Sequence, residues 1–195
     1  GMSEGEVMLR VRAVGLNFRD VLNVLGEYPG DPGPPGADAS GVVGDAGSWS
    51  AGMHAIGSCV FGLGHAPLAS TARSAAPLLA RQPQTLSFEE TSTLPVTWST
   101  THVAFERAWM RAGRRLTVQA AAGGVGLKAV EYGQWLGACL VGTAGRPHKH
   151  RHLRLVGAAQ LCSSRDACGY AFGVVSLLRG LRSHGVLNSL SLDFI

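Results

Sequence analysis

The sequence predicts an α/β fold in two parts, a β-rich first part and a Rossmann-type parallel sheet after it. Three observations carry this expectation. Residues 6–16 (EVMLRVRAVGL) set Val7, Leu9 and Val11 against Met8, Arg10 and Arg12, the period of a half-buried strand. At Ser87-Phe88-Glu89-Glu90 a serine precedes a carboxylate three residues on, the signature of a capped helix start. From Leu116 onward strand-like and helix-like stretches alternate, which makes a parallel sheet with right-handed crossovers.

The elements follow in order. Residues 18–25 form a short helix stopped by Gly26, and residues 29–36 (PGDPGPPG) are a stiff loop. Residues 39–44 and 55–63 read as short strands between glycine turns. Residues 67–80 (PLASTARSAAPLLA) are alanine-rich and only weakly β-prone, so an eroded sheet is expected there, and Trp49 is out of place in the short segment 45–57. The first part is thus placed at residues 1–86 and the second at 87–195. Helix runs from Ser87 to about Trp109, broken at Pro95, and residues 111–113 turn the chain. The second part then reads as strand 116–120, helix 127–136, strand 139–143, basic helix 149–156, strand 160–162, helix 170–179 and strand 185–190, without internal repeats.

Composition narrows the function classes. With 46% hydrophobic and 15% charged residues, the 195-residue chain is globular and long enough for a real core. No apolar run approaches the ~20 residues of a membrane span, and the N-terminus lacks the build of a signal peptide. The net charge of +4 is scattered, apart from residues 146–154, and no aromatic residues interleave with it, so neither nucleic acid nor membrane is an expected partner. Cys59, Cys139, Cys162 and Cys168 form no CxxC pair and no zinc spacing, and reduced thiols in the cytoplasm are the default reading. His148, His150 and His152 alternate and do not share one helix face, so no metal is expected.

Residues 116–126 (LTVQAAAGGVG) carry the functional signal. An apolar strand runs into a glycine cluster and then a helix, the order that lets a backbone approach a pyrophosphate and offer it a helix N-terminus. A tight turn without a ligand has the same local sequence. The pattern Ala120-x-x-Gly123-x-x-Gly126 is a variant of the usual glycine fingerprint. An NAD site places an acid about 20 residues on. Here no acid occurs between Glu131 and Asp166, and the next strand runs into Gly145-Arg146-Pro147-His148-Lys149. A positive loop there suits a ribose 2′-phosphate and hence NADPH, while a solvated helix start is the plainer account.

Five segments together resemble the enoyl reductase domain of modular polyketide synthases and animal-type fatty acid synthases, within the quinone-oxidoreductase-like part of the medium-chain dehydrogenase/reductase superfamily. They are GLNFRDVLNVLGEYPG at 15–30, LSFEE at 86–90, AAAGGVGLKAVEYGQWLGA at 120–138, SSRD at 163–166 and VLNSLS at 186–191, in family order across nearly the whole chain. The resemblance implies a GroES-like substrate domain followed by a Rossmann NADPH domain, with the active site in the cleft between them. It implies NADPH-dependent reduction of an enoyl thioester carried on the phosphopantetheine arm of an acyl carrier protein, beside neighbouring synthase domains. A homodimer is one assembly compatible with it.

By resemblance, Asn17, Asp20 and Thr100 match positions beside the nicotinamide. Gly123, Gly124, Val125 and Gly126 match the pyrophosphate turn, and Thr143, Arg146 and Lys149 match the 2′-phosphate loop. Asn188 and Ser189 match the strand end facing the carboxamide, and Tyr28 matches a tyrosine linked to α-carbon stereochemistry, a candidate proton donor. Plainer roles exist for several: Asn17 and Asp20 as helix caps, Tyr28 as turn packing, Asn188 as a strand-end partner. The SSRD segment either caps a helix or sits near the adenine. Gly36-Ala37-Asp38 stands where zinc-dependent relatives carry Gly-His-Glu, so zinc is not expected. Relatives continue into a Gly-Lys-x-Asp-like motif proposed to supply the proton. That motif does not occur before Ile195, which makes the Rossmann part C-terminally truncated in expectation.

Overall fold

The computed structural model describes residues 3–178 and 182–189. The chain divides into two compact units, Gly1–Val96 and Thr97–Ile195. The expected fold class is observed: an antiparallel β unit comes first, and a parallel sheet with helices follows.

In the first unit, β1 (Glu6–Gly15), β2 (Asp38–Ala46), β3 (Cys59–Leu63), β4 (Thr71–Ala75) and β5 (Leu79–Arg81) form one antiparallel sheet in the order β4-β1-β2-β3-β5. The period-2 alternation of β1 buries Val7 and Leu9, which pack with Val43, Val60, Ala76 and Leu79. Two register shifts against β2, at Met8/Leu9 and Val11/Ala13, bend the strand.

The eroded sheet expected over residues 67–80 is not found. Residues 71–75 pair with β1 from Glu6↔Ala75 to Arg10↔Thr71, and residues 79–81 pair with β3. Pairing overrides weak propensity, because small residues suit the crowded inner face: Ala72 and Ser74 point inward and are buried, and Ser74 donates its hydroxyl to the Leu63 carbonyl at 2.6 Å. Trp49 leads into a single 3₁₀ turn at Ser50–Gly52.

Helix α1 (Phe18–Leu25) ends at Gly26 in the left-handed conformation (φ 70°), as the sequence requires. Helix α2 (Phe88–Ser92) shows the expected reciprocal cap: Glu90 N–H donates to Ser87 Oγ at 3.1 Å, and Ser87 N–H donates to Glu90 Oε2 at 2.8 Å. Ser40 Oγ donates to the Phe88 carbonyl at 2.6 Å and ties α2 to β2. A side chain at Gly15 would overlap the Ser92 carbonyl oxygen, so glycine lets α2 lie directly on the sheet.

Asp38, at the start of β2, is the polar node of this unit. It is 1% exposed, accepts Asn17 Nδ2–H at 3.0 Å and accepts Val96 N–H at 2.8 Å. Burial pushes its carboxyl above the ordinary carboxylate range, the nearby Asp20 adds to the rise, and the two hydrogen bonds oppose it.

In the second unit, β6 (Arg115–Val118), β7 (Cys139–Ala144), β8 (Gln160–Ser163) and β9 (Gly185–Leu187) form a parallel sheet in the order β8-β7-β6-β9. Helices α4 (Gly124–Trp135), α5 (Pro147–Leu155) and α6 (Ala167–Leu178) connect successive strands, and α3 (Pro95–Arg107) leads in. Counted from β6, the order is 3-2-1-4, that of the dinucleotide-binding doubly wound class. The core comprises Phe105, Leu116, Val118, Ala129, Val130 and Leu153 with their neighbours. Helix α4 starts three residues earlier than the periodicity of 127–136 suggests, because Gly124 and Gly126 belong to its first turn. Arg179 and Leu190, the expected ends of the last helix and strand, lie outside the described residues.

Two outcomes test these arrangements. Asp38 has a raised carboxyl pKa in the fold, so its contribution to stability is full below the unfolded value and is lost as pH rises through the folded one. Asp38→Asn removes that dependence. In thermal melts the variant gains on the unsubstituted chain between pH 4 and pH 7; a constant difference across that range contradicts the assignment. A Cβ at residue 126 would overlap the Ala120 carbonyl oxygen and lie 2.6 Å from Ala121 Cα. Gly126→Ala therefore destabilises the second unit by about 1–3 kcal/mol in chemical denaturation, and an unchanged midpoint would show that α4 moves aside freely.

Candidate nucleotide-binding site

The site is built where β6, β7 and β8 end. In an open α/β sheet, ligands bind outside the carboxyl ends of the strands, near the point where the strand order reverses. Here the order reverses at β6, between β7 on one side and β9 on the other.

The turn after β6 sets the floor. Ala120 takes a left-handed conformation (φ 49°), which costs an L-residue about 1–2 kcal/mol. Its carbonyl accepts Gly123 N–H at 2.8 Å, and Ala121 N–H donates to the Thr143 carbonyl of β7 at 2.9 Å. Gly123 caps α4 with extended backbone and brings no side-chain hydrogen bond to the cap. At Gly124 a Cβ would lie 3.1 Å from Thr97 Cγ2. The glycines therefore serve two separate ends: Gly126 brings the helix onto the turn, and Gly123 and Gly124 place no side chain of their own at the start of α4.

A cavity of about 280 Å³ opens above this turn. It is lined by Ala120 and Gly123 from the turn, Thr143 to Arg146 and Lys149 from the β7–α5 connection, and Ser164 and Arg165 from the end of β8. Among the described residues, three cationic side chains border it and no carboxylate does. Among the described residues, none of Arg146, Lys149 and Arg165 is in an ion pair. Pro147 opens α5 just past Arg146, where its missing N–H costs nothing. His150 Nε2 donates to the Ala144 carbonyl at 2.7 Å and pins the first turn of α5 to the end of β7.

The structure brings together Gly123, Thr143, Arg146 and Lys149 on this one cavity. Gly124, Val125 and Gly126 form the first turn of α4 beside it. Thr143 is 1% exposed, so it contributes wall rather than a free hydroxyl. Asn188 and Ser189 follow β9 on the other side of β6: Gln119 N–H donates to the Leu187 carbonyl at 2.9 Å, and Ser189 Oγ donates to the Gln119 carbonyl at 3.3 Å. Thr100 lies on α3 and is exposed, while its neighbour Thr101 is buried and donates to the Thr97 carbonyl at 2.8 Å.

The remaining three residues lie in the first unit, around α1. Asn17 and Asp20 have the plainer role open to them in the sequence. Asp20 Oδ2 accepts Asn17 N–H at 2.8 Å, closing the start of α1, and Asp20 Oδ1 accepts Gly36 N–H at 2.8 Å. Arg19 donates to the Gly36 carbonyl at 3.1 Å and Asn23 to the Gly33 carbonyl at 3.1 Å. Helix α1 thus clamps the loop of residues 29–36, and half-buried Tyr28 stands where that loop leaves the helix.

Arg165 was not among the sequence candidates for the cofactor. Its signal was present in SSRD, where capping and adenine contact were the two alternatives. Both halves of that segment have work: Asp166 Oδ1 accepts Cys168 N–H at 3.1 Å at the start of α6, and Arg165 borders the cavity.

Comparison with known proteins agrees with this architecture. Residues 3–80 match the alcohol dehydrogenase GroES-like domain. Erythronolide synthase EryA2 of Saccharopolyspora erythraea is 40% identical over 190 residues, 96% of this chain and 5% of that protein. The CurK enoyl reductase structure superposes with a TM-score of 0.87 at 32% identity, over 97% of this chain and 60% of that one. A quinone oxidoreductase structure from Pseudomonas syringae pv. Tomato DC3000 gives 0.83 at 27% identity, over 99% and 60%. The chain therefore spans a small part of the synthase and about three-fifths of each solved reductase. Fold, motif order and these likenesses agree: the chain belongs to the medium-chain dehydrogenase/reductase superfamily, as an enoyl reductase region related to those of modular polyketide synthases.

Proposed function

We propose that the second unit binds NADPH and that the chain works as the hydride-donor part of an enoyl thioester reductase within a polyketide or fatty acid synthase. The observation that carries the reading is the cavity at the β6–α4 turn, bordered among the described residues by cations and by no acid. An NAD site needs an acceptor for the ribose 2′-hydroxyl, and a carboxylate there would repel a 2′-phosphate.

The residues fit the cofactor. Gly123, Gly124, Val125 and Gly126 hold the pyrophosphate through the first N–H groups of α4. Arg146 and Lys149, at the wall Thr143 forms, hold the 2′-phosphate. Asn188 and Ser189, past β9 on the other side of β6, orient the carboxamide, with Thr100 beside the nicotinamide. When bound, NADPH supplies the hydride that reaches the β-carbon of the enoyl group. Tyr28 donates its phenolic proton to the α-carbon, and the clamp of Asn17 and Asp20 on the loop of residues 29–36 fixes where Tyr28 stands. The protein's share of the rate comes from alignment and from donors at the thioester oxygen. The substrate arrives on the phosphopantetheine arm of an acyl carrier protein, and neighbouring synthase domains are the partners. The likeness to a quinone oxidoreductase supports a second reading, a reductase acting on quinones from the same cofactor site.

Two measurements decide. Stopped-flow oxidation of NADPH is expected with a crotonyl-pantetheine thioester; oxidation by quinones alone favours the second reading, and NADPH binding without turnover of either leaves only a nucleotide-binding module. Calorimetry of Arg146→Ala combined with Lys149→Ala should show NADPH affinity lowered roughly 10- to 100-fold, the ~1.5–3 kcal/mol of a charge-assisted contact, with NADH affinity little changed. Equal affinity of the unsubstituted chain for NADPH and NADH contradicts the assignment.

A further inference from the structure

Helix α5 carries charge that the cavity does not use. Six of its nine side chains are basic or imidazole, and its first turn holds no acid. From residue 132 to residue 165 the sequence has no acid at all. Leu153 is fully buried and His150 is bonded to the Ala144 carbonyl, which fixes the inner face of the helix. The outer face follows from the spacing: His148, Arg151, His152 and Leu155 stand three and four residues apart, and all are exposed. Arg154 is exposed beside them. Among the described residues neither Arg151 nor Arg154 is in an ion pair, and Glu131, the last acid before α5, is held by Lys128 at 2.8 Å.

The helix itself gains little from this pattern. Cations are favourable near a helix C-terminus, which accounts for Arg154 in the last turn. Further back they are not, and like charges three residues apart repel. The same end of the helix also exposes apolar surface: Leu155 is 79% exposed and Val156, next in sequence, 41%. Apolar side chains rimmed by unpaired cations have the composition of a protein interface. A nucleic acid fits less well. The helix is only about 13 Å long, short for tracking a phosphate backbone, and its outer face has no aromatic ring for a base to stack on.

We propose that the outer face of α5 is a docking surface for an acidic protein partner, whose carboxylates pair with Arg151 and Arg154 and whose apolar side chains cover Leu155. A guanidinium accepts a carboxylate in paired hydrogen bonds, which gives such a contact direction as well as charge. Arg146 and Lys149 border the cavity and are not part of this surface, so it stands whether or not the cofactor reading holds.

The probe is a labelled amphipathic peptide of about 16 residues, long enough to form a helix, with glutamates four apart and leucines beside them. Its glutamine counterpart and an oligothymidylate of equal charge are the controls, and binding is read by fluorescence anisotropy. The glutamate peptide is expected to bind, more weakly as salt rises, and more tightly than either control. Arg151→Glu combined with Arg154→Glu is expected to weaken it about tenfold or more, and Leu155→Ala roughly threefold with the salt dependence kept. Thermal melts confirm that the variants are folded, and Arg151→Gln with Arg154→Gln, a milder pair, moves binding in the same direction. No binding of the glutamate peptide at about 1 mM overturns the proposal, as does equal binding of the glutamine peptide or an unchanged affinity in the arginine variants. Tighter binding of the oligothymidylate, or no effect of Leu155→Ala, makes the face a site for anionic polymers and overturns the protein partner. If Arg146→Ala with Lys149→Ala weakens the peptide as much as the α5 variants do, the peptide sits in the cavity and the proposal falls, while the cofactor reading is untouched.

Discussion

The second unit depends on a contact that contains no side chain. Gly126 brings the first turn of α4 against the Ala120 carbonyl and the Ala121 backbone, closer than any Cβ would permit. That approach fixes the direction of the α4 N-terminus, and with it the floor of the cavity. It also accounts for Ala120: a turn tight enough to seat the helix pushes one residue into the left-handed region, and here that residue carries a methyl group. Strain of this size persists only where the surroundings determine the backbone, and here β7 supplies the restraint through the Thr143 carbonyl.

The first unit solves a different problem with polar groups. Its loop of residues 29–36 has no ladder partner, so it borrows order from α1. Asp20 both starts that helix and holds the loop at Gly36. Asp38 then joins Asn17 to the N–H of Val96. These are buried carboxylates whose oxygens are committed to donors, the condition under which burying them is tolerable. Their role is positional: they tie α1 to the loop of residues 29–36 and to the start of β2.

Legibility in the sequence followed range. The β1 alternation, the Ser87 cap, the Gly26 stop and the strand–glycine–helix order are each written within a few residues, and each was readable. Strands β4 and β5 were not, because alanine and serine have weak β preference and acquire strand geometry only by pairing with β1 and β3, tens of residues away. At the site, the absence of an acid after β7 was plain from sequence. The place of Arg165 was not: a charged residue after a strand reads equally as a cap neighbour or a ligand contact, and its packing against Gly145 at the cavity is set by the fold.

The cations around the cavity have a kinetic consequence. Among the described residues Arg146, Lys149 and Arg165 are in no ion pair, so an anion arriving there breaks none of these before it settles. The field at the cavity mouth therefore stands ready and reaches outward by about one Debye length, ~8 Å in physiological salt. Arrival is governed by charge and falls with ionic strength. The glycine turn below carries no charge, so this part of the encounter is written in three long side chains and not in the floor they surround.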